Sequence, residues 1–335
     1  MRAYLQFLAA VLFYFLASSV AHHSAAGLAN DAWSPLLEKA MLAFLLVLGY
    51  AAFGTVLNRQ QHPVSEQGLP LRPGWPREAG LGLAVGWSVA VACVLVLVVE
   101  GGIAIVLSVQ PSAWGWLIAD TAFFALAALA EEVAFRGYGF QCFVQSVGPL
   151  GAALGFAAFY AIVQSFLPGS NHASFAVSLV FSLILSTAYL RSRALWLSWG
   201  LNFGWKASRA LIFGLVVSGV SSHSPVIEGD AMGPFWATGG GFGLDGSWLA
   251  FVILLLAFPV VFRVTRDLDF KYNVPVIVPG GIPVDLDAAA RRQHEAAMGP
   301  AEPAAPNLVQ IFPATAPLSS PAAEDSPADQ PDRSL

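Results

Sequence analysis

Residues 115–142 read GWLIADTAFFALAALAEEVAFRGYGFQC, and the decisive part is Ala130-Glu131-Glu132-Val133-Ala134-Phe135-Arg136-Gly137. Around these charges the stretch is rich in Ala, Leu and Phe, and it exceeds the roughly 20 residues that an α-helix needs to cross a hydrocarbon core. Charged groups at mid-membrane cost at least a few kcal/mol by insertion scales (about 2.5–3.5), so such residues face a protein interior or a wet cavity and usually have a task. Glu132 and Arg136 lie four apart on one helical face and can pair. Glu131 is turned about 100° from Glu132 and is free to address another neighbour.

Working outward, composition sets the solvent. Only 11% of the 335 residues are charged and 56% are hydrophobic, against roughly 25% charged in soluble domains. The expected fold class is all-α, a polytopic integral membrane protein of about eight transmembrane helices. The apolar segments fall at about 3–20, 36–57, 79–108, 115–142, 147–167, 174–191, 194–219 and 247–263. Arg2, the short apolar run after it and Ser19-Val20-Ala21 also fit a cleavable signal peptide; a retained helix is the preferred reading.

Charge placement gives an orientation, because Lys and Arg are enriched in cytoplasmic loops. Arg59, Arg72 and Arg77 follow the second segment, Arg191 and Arg193 the sixth, and Arg263, Arg266 and Lys271 the eighth. Loops around 109–114, 168–173 and 220–246 contain neither residue type. With both termini cytoplasmic, every basic cluster lies inside. The expected location is a bacterial cytoplasmic (inner) membrane.

Three regions follow: 1–78, an N-terminal two-helix membrane segment with a cytoplasmic loop; 79–271, a membrane core; and 272–335, a Pro/Ala-rich tail expected to be disordered and cytoplasmic. A short helix near 286–298 is compatible with the tail's pattern. The 220–246 loop, with Gly239-Gly240-Gly241, is expected to be irregular. The net charge of -5 says little about partners, since most acids lie outside the apolar segments. Without a basic patch, nucleic acid is not an expected partner. Cys93 and Cys142 read as packing residues rather than a disulfide or zinc site. His22, His23 and His223 lack helical ligand spacing and acidic company, and His172 reads as a loop residue. No metal and no cofactor are expected.

Polar residues in later helices could complete a site around Glu131. Tyr160-Ala161-Ile162-Val163-Gln164 lies in the fifth segment, and Asn202-Phe203-Gly204-Trp205-Lys206, followed by Arg209, lies in the seventh. Asn202 and Lys206 are one turn apart on a shared face. Gln164 and Asn202 each have an alternative use as interhelical hydrogen-bonding groups. Lys206 would be costly unpaired in an apolar helix, and Glu131 is an available counter-ion.

This arrangement resembles the CPBP family of membrane proteins, which includes CAAX prenyl endopeptidases and bacteriocin-processing or immunity proteins. The resemblance spans about 79–260 and rests on four elements: Glu-Glu-x-x-x-Arg-Gly at 131–137, aromatic-x-x-x-polar at 160–164, Leu-Trp-Leu-Ser-Trp-Gly-Leu at 195–201, and Thr-Gly-Gly-Gly-Phe-Gly at 238–243. It implies an intramembrane endopeptidase, a hydrolase active in proteolysis of membrane-associated peptides or lipidated proteins. It implies Glu131 as general base, with Glu132 and Arg136 as the bracing pair.

The pattern departs at three positions. Where the family places two histidines and an asparagine, this chain has Gln164, Asn202 and Lys206. Amides orient water but do not exchange protons at neutral pH as imidazole does. The altered set therefore points toward weak or lost hydrolysis, a pseudoenzyme that binds or escorts a membrane partner. A different class, a small-solute transporter with charges lining its path, is the remaining alternative. The expected partners are membrane lipid and a membrane-associated peptide or protein.

Overall fold

The computed structural model describes residues 2–108, 110–220, 224 and 226–272. The expected tail and its helix near 286–298 lie outside the described residues, as does His223. The elements in chain order are α1 (Arg2–Leu28), α2 (Ser34–Asn58), α3 (Pro63–Glu66), α4 (Trp75–Val99), β1 (Ile103–Leu107), α5 (Pro111–Arg136), α6 (Tyr138–Ser165), α7 (His172–Ser192), α8 (Leu195–Ala207), β2 (Ile227–Ala231), α9 (Phe235–Thr238), α10 (Trp248–Val264) and α11 (Arg266–Tyr272).

The protein is an all-α polytopic membrane protein. Among the described residues five helical stretches are long and apolar enough to cross a membrane: α1, α2, α4, Pro111–Ser165 and α7. The fourth, 55 residues long, is two helices, because Gly137 between α5 and α6 leaves the helical region at ψ -140°. Shorter α8 and α10 complete the bundle. Leu12, Val56, Ile118 and Leu150, each more than 70% exposed, point outward, as side chains facing lipid do.

Local chemistry explains the helix ends. Pro35, Pro76 and Pro111 occupy first-turn positions, where a missing N–H costs no helical bond. Asn171 caps α7 through a reciprocal pair with Ser174, the Asn171 Oδ1 accepting the Ser174 N–H at 2.9 Å. Gly148 at φ 81°, followed by Pro149, kinks α6.

Boundaries differ from expectation in three places. The third segment, expected to reach 108, ends as helix at Val99, and Ile103–Leu107 pairs antiparallel with Ile227–Ala231. Apolar composition did not separate a β-branched strand from the end of a helix. The break expected between 142 and 147 falls just after that interval, at Gly148, where the backbone leaves the helical region (φ 81°, ψ 168°), and a further turn, not expected, stands at Gly137. The seventh segment, expected to 219, ends as α-helix at Ala207 and passes through a π-turn at Ser208–Ile212. The 220–246 loop accordingly holds β2 and short helices.

Small residues control how closely the helices approach. Gly82 and Gly86 on α4 face Gly200 and Gly204 on α8, and a Cβ added at any of them would strike the opposing backbone. Two small-xxx-small faces thus meet with main chains in contact, the packing that membrane helices use where apolar burial gives no net drive. Ser174, Ser178, Ser182 and Ser186 form a similar buried stripe along α7. On the other side, Tyr50 donates to the Ala10 carbonyl at 3.2 Å and Gln6 donates to Asn58 at 2.7 Å, joining α1 to α2. Phe7 of α1 packs on Phe143 and Phe156 of α6.

Candidate functional site

Glu131, Glu132 and Arg136 sit in the last two turns of α5, which packs against α8. The glycine seam between α4 and α8 holds Asn202 and Lys206 in place, since Asn202 lies between Gly200 and Gly204 on the same helix. All six residues singled out in the sequence enter one connected network. Lys206 Nζ donates to Glu131 Oε1. Asn202 Nδ2 donates to Glu131 Oε2 at 3.1 Å and to Glu132 Oε1 at 3.0 Å, linking the two carboxylates. Gln164 stands one step away: its Nε2 donates to the Tyr160 hydroxyl at 2.7 Å, which in turn donates to Glu131 Oε2 at 3.4 Å.

The two glutamates occupy different surroundings. Glu132 and Arg136 are fully buried and pair at 3.4 Å. Arg136 also donates to the Ser182 carbonyl at 3.1 Å and to Ser182 Oγ at 2.6 Å, tying α5 to α7. Glu131 retains 26% side-chain exposure and faces a cavity of about 250 Å³. Tyr14 and Ser18 of α1, Lys39 and Leu42 of α2, Phe123 and Phe124 of α5 and Lys206 of α8 contribute to its walls. The four charges of the network, two carboxylates and two cations, cancel. Such balance is required, because an uncompensated buried charge costs several kcal/mol.

A second buried ion pair stands beside the first. Arg209, on the π-turn that continues α8, meets Asp245 at 2.9 Å. Asp245 also accepts from Trp205 Nε1 at 3.0 Å and from the Ser218 amide and hydroxyl at 3.1 and 2.7 Å. Burial disfavours its ionised form, but the Arg209 charge and the Ser218 bonds outweigh it and hold the carboxyl below the usual carboxylate range. Ser218 lies in the cavity wall at φ 48°, so this pair pins one side of the cavity.

Several participants were not reached by sequence reasoning. The motif at 160–164 does not by itself show that the Tyr160 hydroxyl contacts Glu131 directly. Tyr14, Ser18 and Lys39 come from helices remote in the chain and carry no motif. The glycine seam did have a signal, the four-residue spacing of Gly82–Gly86 and Gly200–Gly204. His172 is the first residue of α7, and His22 pairs with Glu38 at 2.9 Å; neither lies in the cavity wall. Among the described residues no cluster of three or more His, Cys, Asp or Glu side chains is gathered to hold a metal.

The fold and site together define a polytopic helical membrane protein whose carboxylate–ammonium network opens on a cavity between its helices. Within the chain, residues 112–208 match the family model of Rce1-like type II CAAX prenyl endopeptidases, consistent with a CPBP/CAAX protease family. The match runs from the first turn of α5 to just beyond α8 and contains every residue of the network, Tyr160 included. No curated protein and no solved structure matches the chain.

Proposed function

We propose that the cavity binds a membrane-associated peptide or a segment of a lipidated protein, and that hydrolysis by this chain is weak or lost. The observation that carries the reading is the occupancy of Glu131. One oxygen accepts from Lys206 and the other from Asn202 and Tyr160. A general base needs an oxygen free to take a proton, and both Glu131 oxygens are already engaged by donors. Among the described residues no imidazole lines the cavity, so none of them shuttles protons there as histidine does.

In this reading 79–271 forms the working core, the two helices of 1–78 add a wall to the cavity, and 272–335 is a cytoplasmic tail. Eight crossings of a bacterial inner membrane, with both termini cytoplasmic, agree with the distribution of Lys and Arg. Glu131 is the central functional group. Glu132 and Arg136 brace it, Asn202 and Lys206 hold its charge, and Gln164 orients Tyr160.

The test is a peptide-library turnover assay on the purified protein beside Glu131→Gln. Binding without turnover in both proteins is the expected result. Robust turnover in the wild type that disappears in the variant would overturn the non-hydrolytic part of the proposal.

A further inference from the structure

Among the described residues of the cavity wall, the Glu131/Glu132/Arg136/Lys206 network leaves one charged side chain outside it, Lys39 of α2. Its partner is Glu38, which touches Lys39 Nζ at 2.7 Å and is shared with His22 Nδ1 at 2.9 Å. Consecutive helical residues point about 100° apart, so the Glu38–Lys39 contact is made by two side chains bending toward each other at the edge of the cavity. Both are partly exposed, Lys39 at 30% and Glu38 at 23%, and exposed pairs of this kind hold weakly. A carboxylate brought by a ligand can therefore replace Glu38 at Lys39 while Glu38 keeps its bond to His22. Lys206 offers no such opportunity, because its exchange would strip Glu131 of its counter-ion.

Building on the peptide-binding reading, we infer that Lys39 is a specificity-determining contact that selects peptides carrying a carboxylate. Apolar wall residues such as Leu42, Phe123, Phe124 and Phe135 take the rest of the ligand, so the substrate class is an apolar peptide with a single negative charge. That charge comes either from an acidic side chain or from the C-terminus. Lys39 lies outside the family-matched segment 112–208, so this selectivity is built by the N-terminal helices.

The experiment uses the full chain in detergent and three dansylated apolar hexapeptides. One has a free C-terminal carboxylate and no acidic side chain, one is amidated and contains a single glutamate, and one is amidated with glutamine in that place. Affinities are measured by fluorescence anisotropy for wild type, Lys39→Met and Lys39→Arg. At least one carboxylate peptide is expected to bind wild type about tenfold more tightly than the neutral peptide, the scale of a partly buried charged hydrogen bond. The identity of the preferred peptide names the source of the charge. Lys39→Arg keeps the preference and Lys39→Met abolishes it.

Equal binding of all three peptides to wild type overturns the inference and leaves the peptide-binding reading standing; this comparison needs no variant to fold. A preference that survives in Lys39→Met also overturns it. Failure of every peptide to bind refutes the peptide-binding reading itself.

Discussion

Removing Lys206 and Glu131 separately and together measures how much of the site's stability resides in their contact. Lys206 has a side chain only 9% exposed, while Glu131 opens to the cavity with 26% exposure. Breaking a fully buried pair by deleting one partner costs about 3–5 kcal/mol, and exposure of the carboxylate side lowers that figure. Lys206→Met leaves Glu131 with the Asn202 and Tyr160 donors at 3.1 and 3.4 Å, so its expected cost is about 1.5 kcal/mol. Glu131→Gln strands the more deeply buried ammonium, although the glutamine carbonyl still accepts one bond, and its expected cost is about 2.5 kcal/mol. With both groups neutral the strandings vanish together, and the double variant is expected to lose only about 1–2 kcal/mol, a coupling of about 2–3 kcal/mol. Reversible unfolding in mixed micelles near neutral pH gives all three values. Losses that add to within about 0.5 kcal/mol would refute direct coupling between Lys206 and Glu131.

Gly204→Ala drives a methyl group into the Leu83 backbone, with the Leu83 Cα 3.0 Å away, and should destabilise by about 1–3 kcal/mol. Gly80→Ala meets nothing within 4 Å and should be neutral or stabilising by up to about 1 kcal/mol; thermal unfolding compares the two. Asp245 has a lowered folded-state pKa, so its contribution is complete above the unfolded aspartate value and is lost as pH falls through the folded one. Asp245→Asn should therefore unfold more easily near pH 7, with the gap narrowing in acid; a gap constant with pH would contradict this. Gln164→His, Asn202→His and Lys206→Asn combined should raise peptide hydrolysis by about 100-fold or more if the missing imidazoles limit turnover, read in the library assay against the same triple variant carrying Glu131→Gln.

The sequence determined the solvent of this protein and the axis of its site. Runs of apolar residues longer than a bilayer crossing, with few charges, have no other stable home, and that argument needs no partner helix. Glu132 and Arg136 were legible as a pair because helical periodicity alone sets a spacing of four on one face. The lone lysine at 206 called for a counter-ion for the same energetic reason. Tertiary structure decided the rest. Local pattern did not show that Ile103–Leu107 would leave its helix, because its strand partner lies at Ile227–Ala231, more than a hundred residues away. Nor did it show which faces of α4 and α8 would meet: helical spacing groups Gly82 with Gly86 and Gly200 with Gly204, but only the packed bundle brings the two pairs together. Tyr160 as the link from Gln164 to Glu131, and Lys39 in the cavity wall, depend on helices distant in the chain converging. Such contacts arise from packing between elements, and no periodicity within one element encodes them.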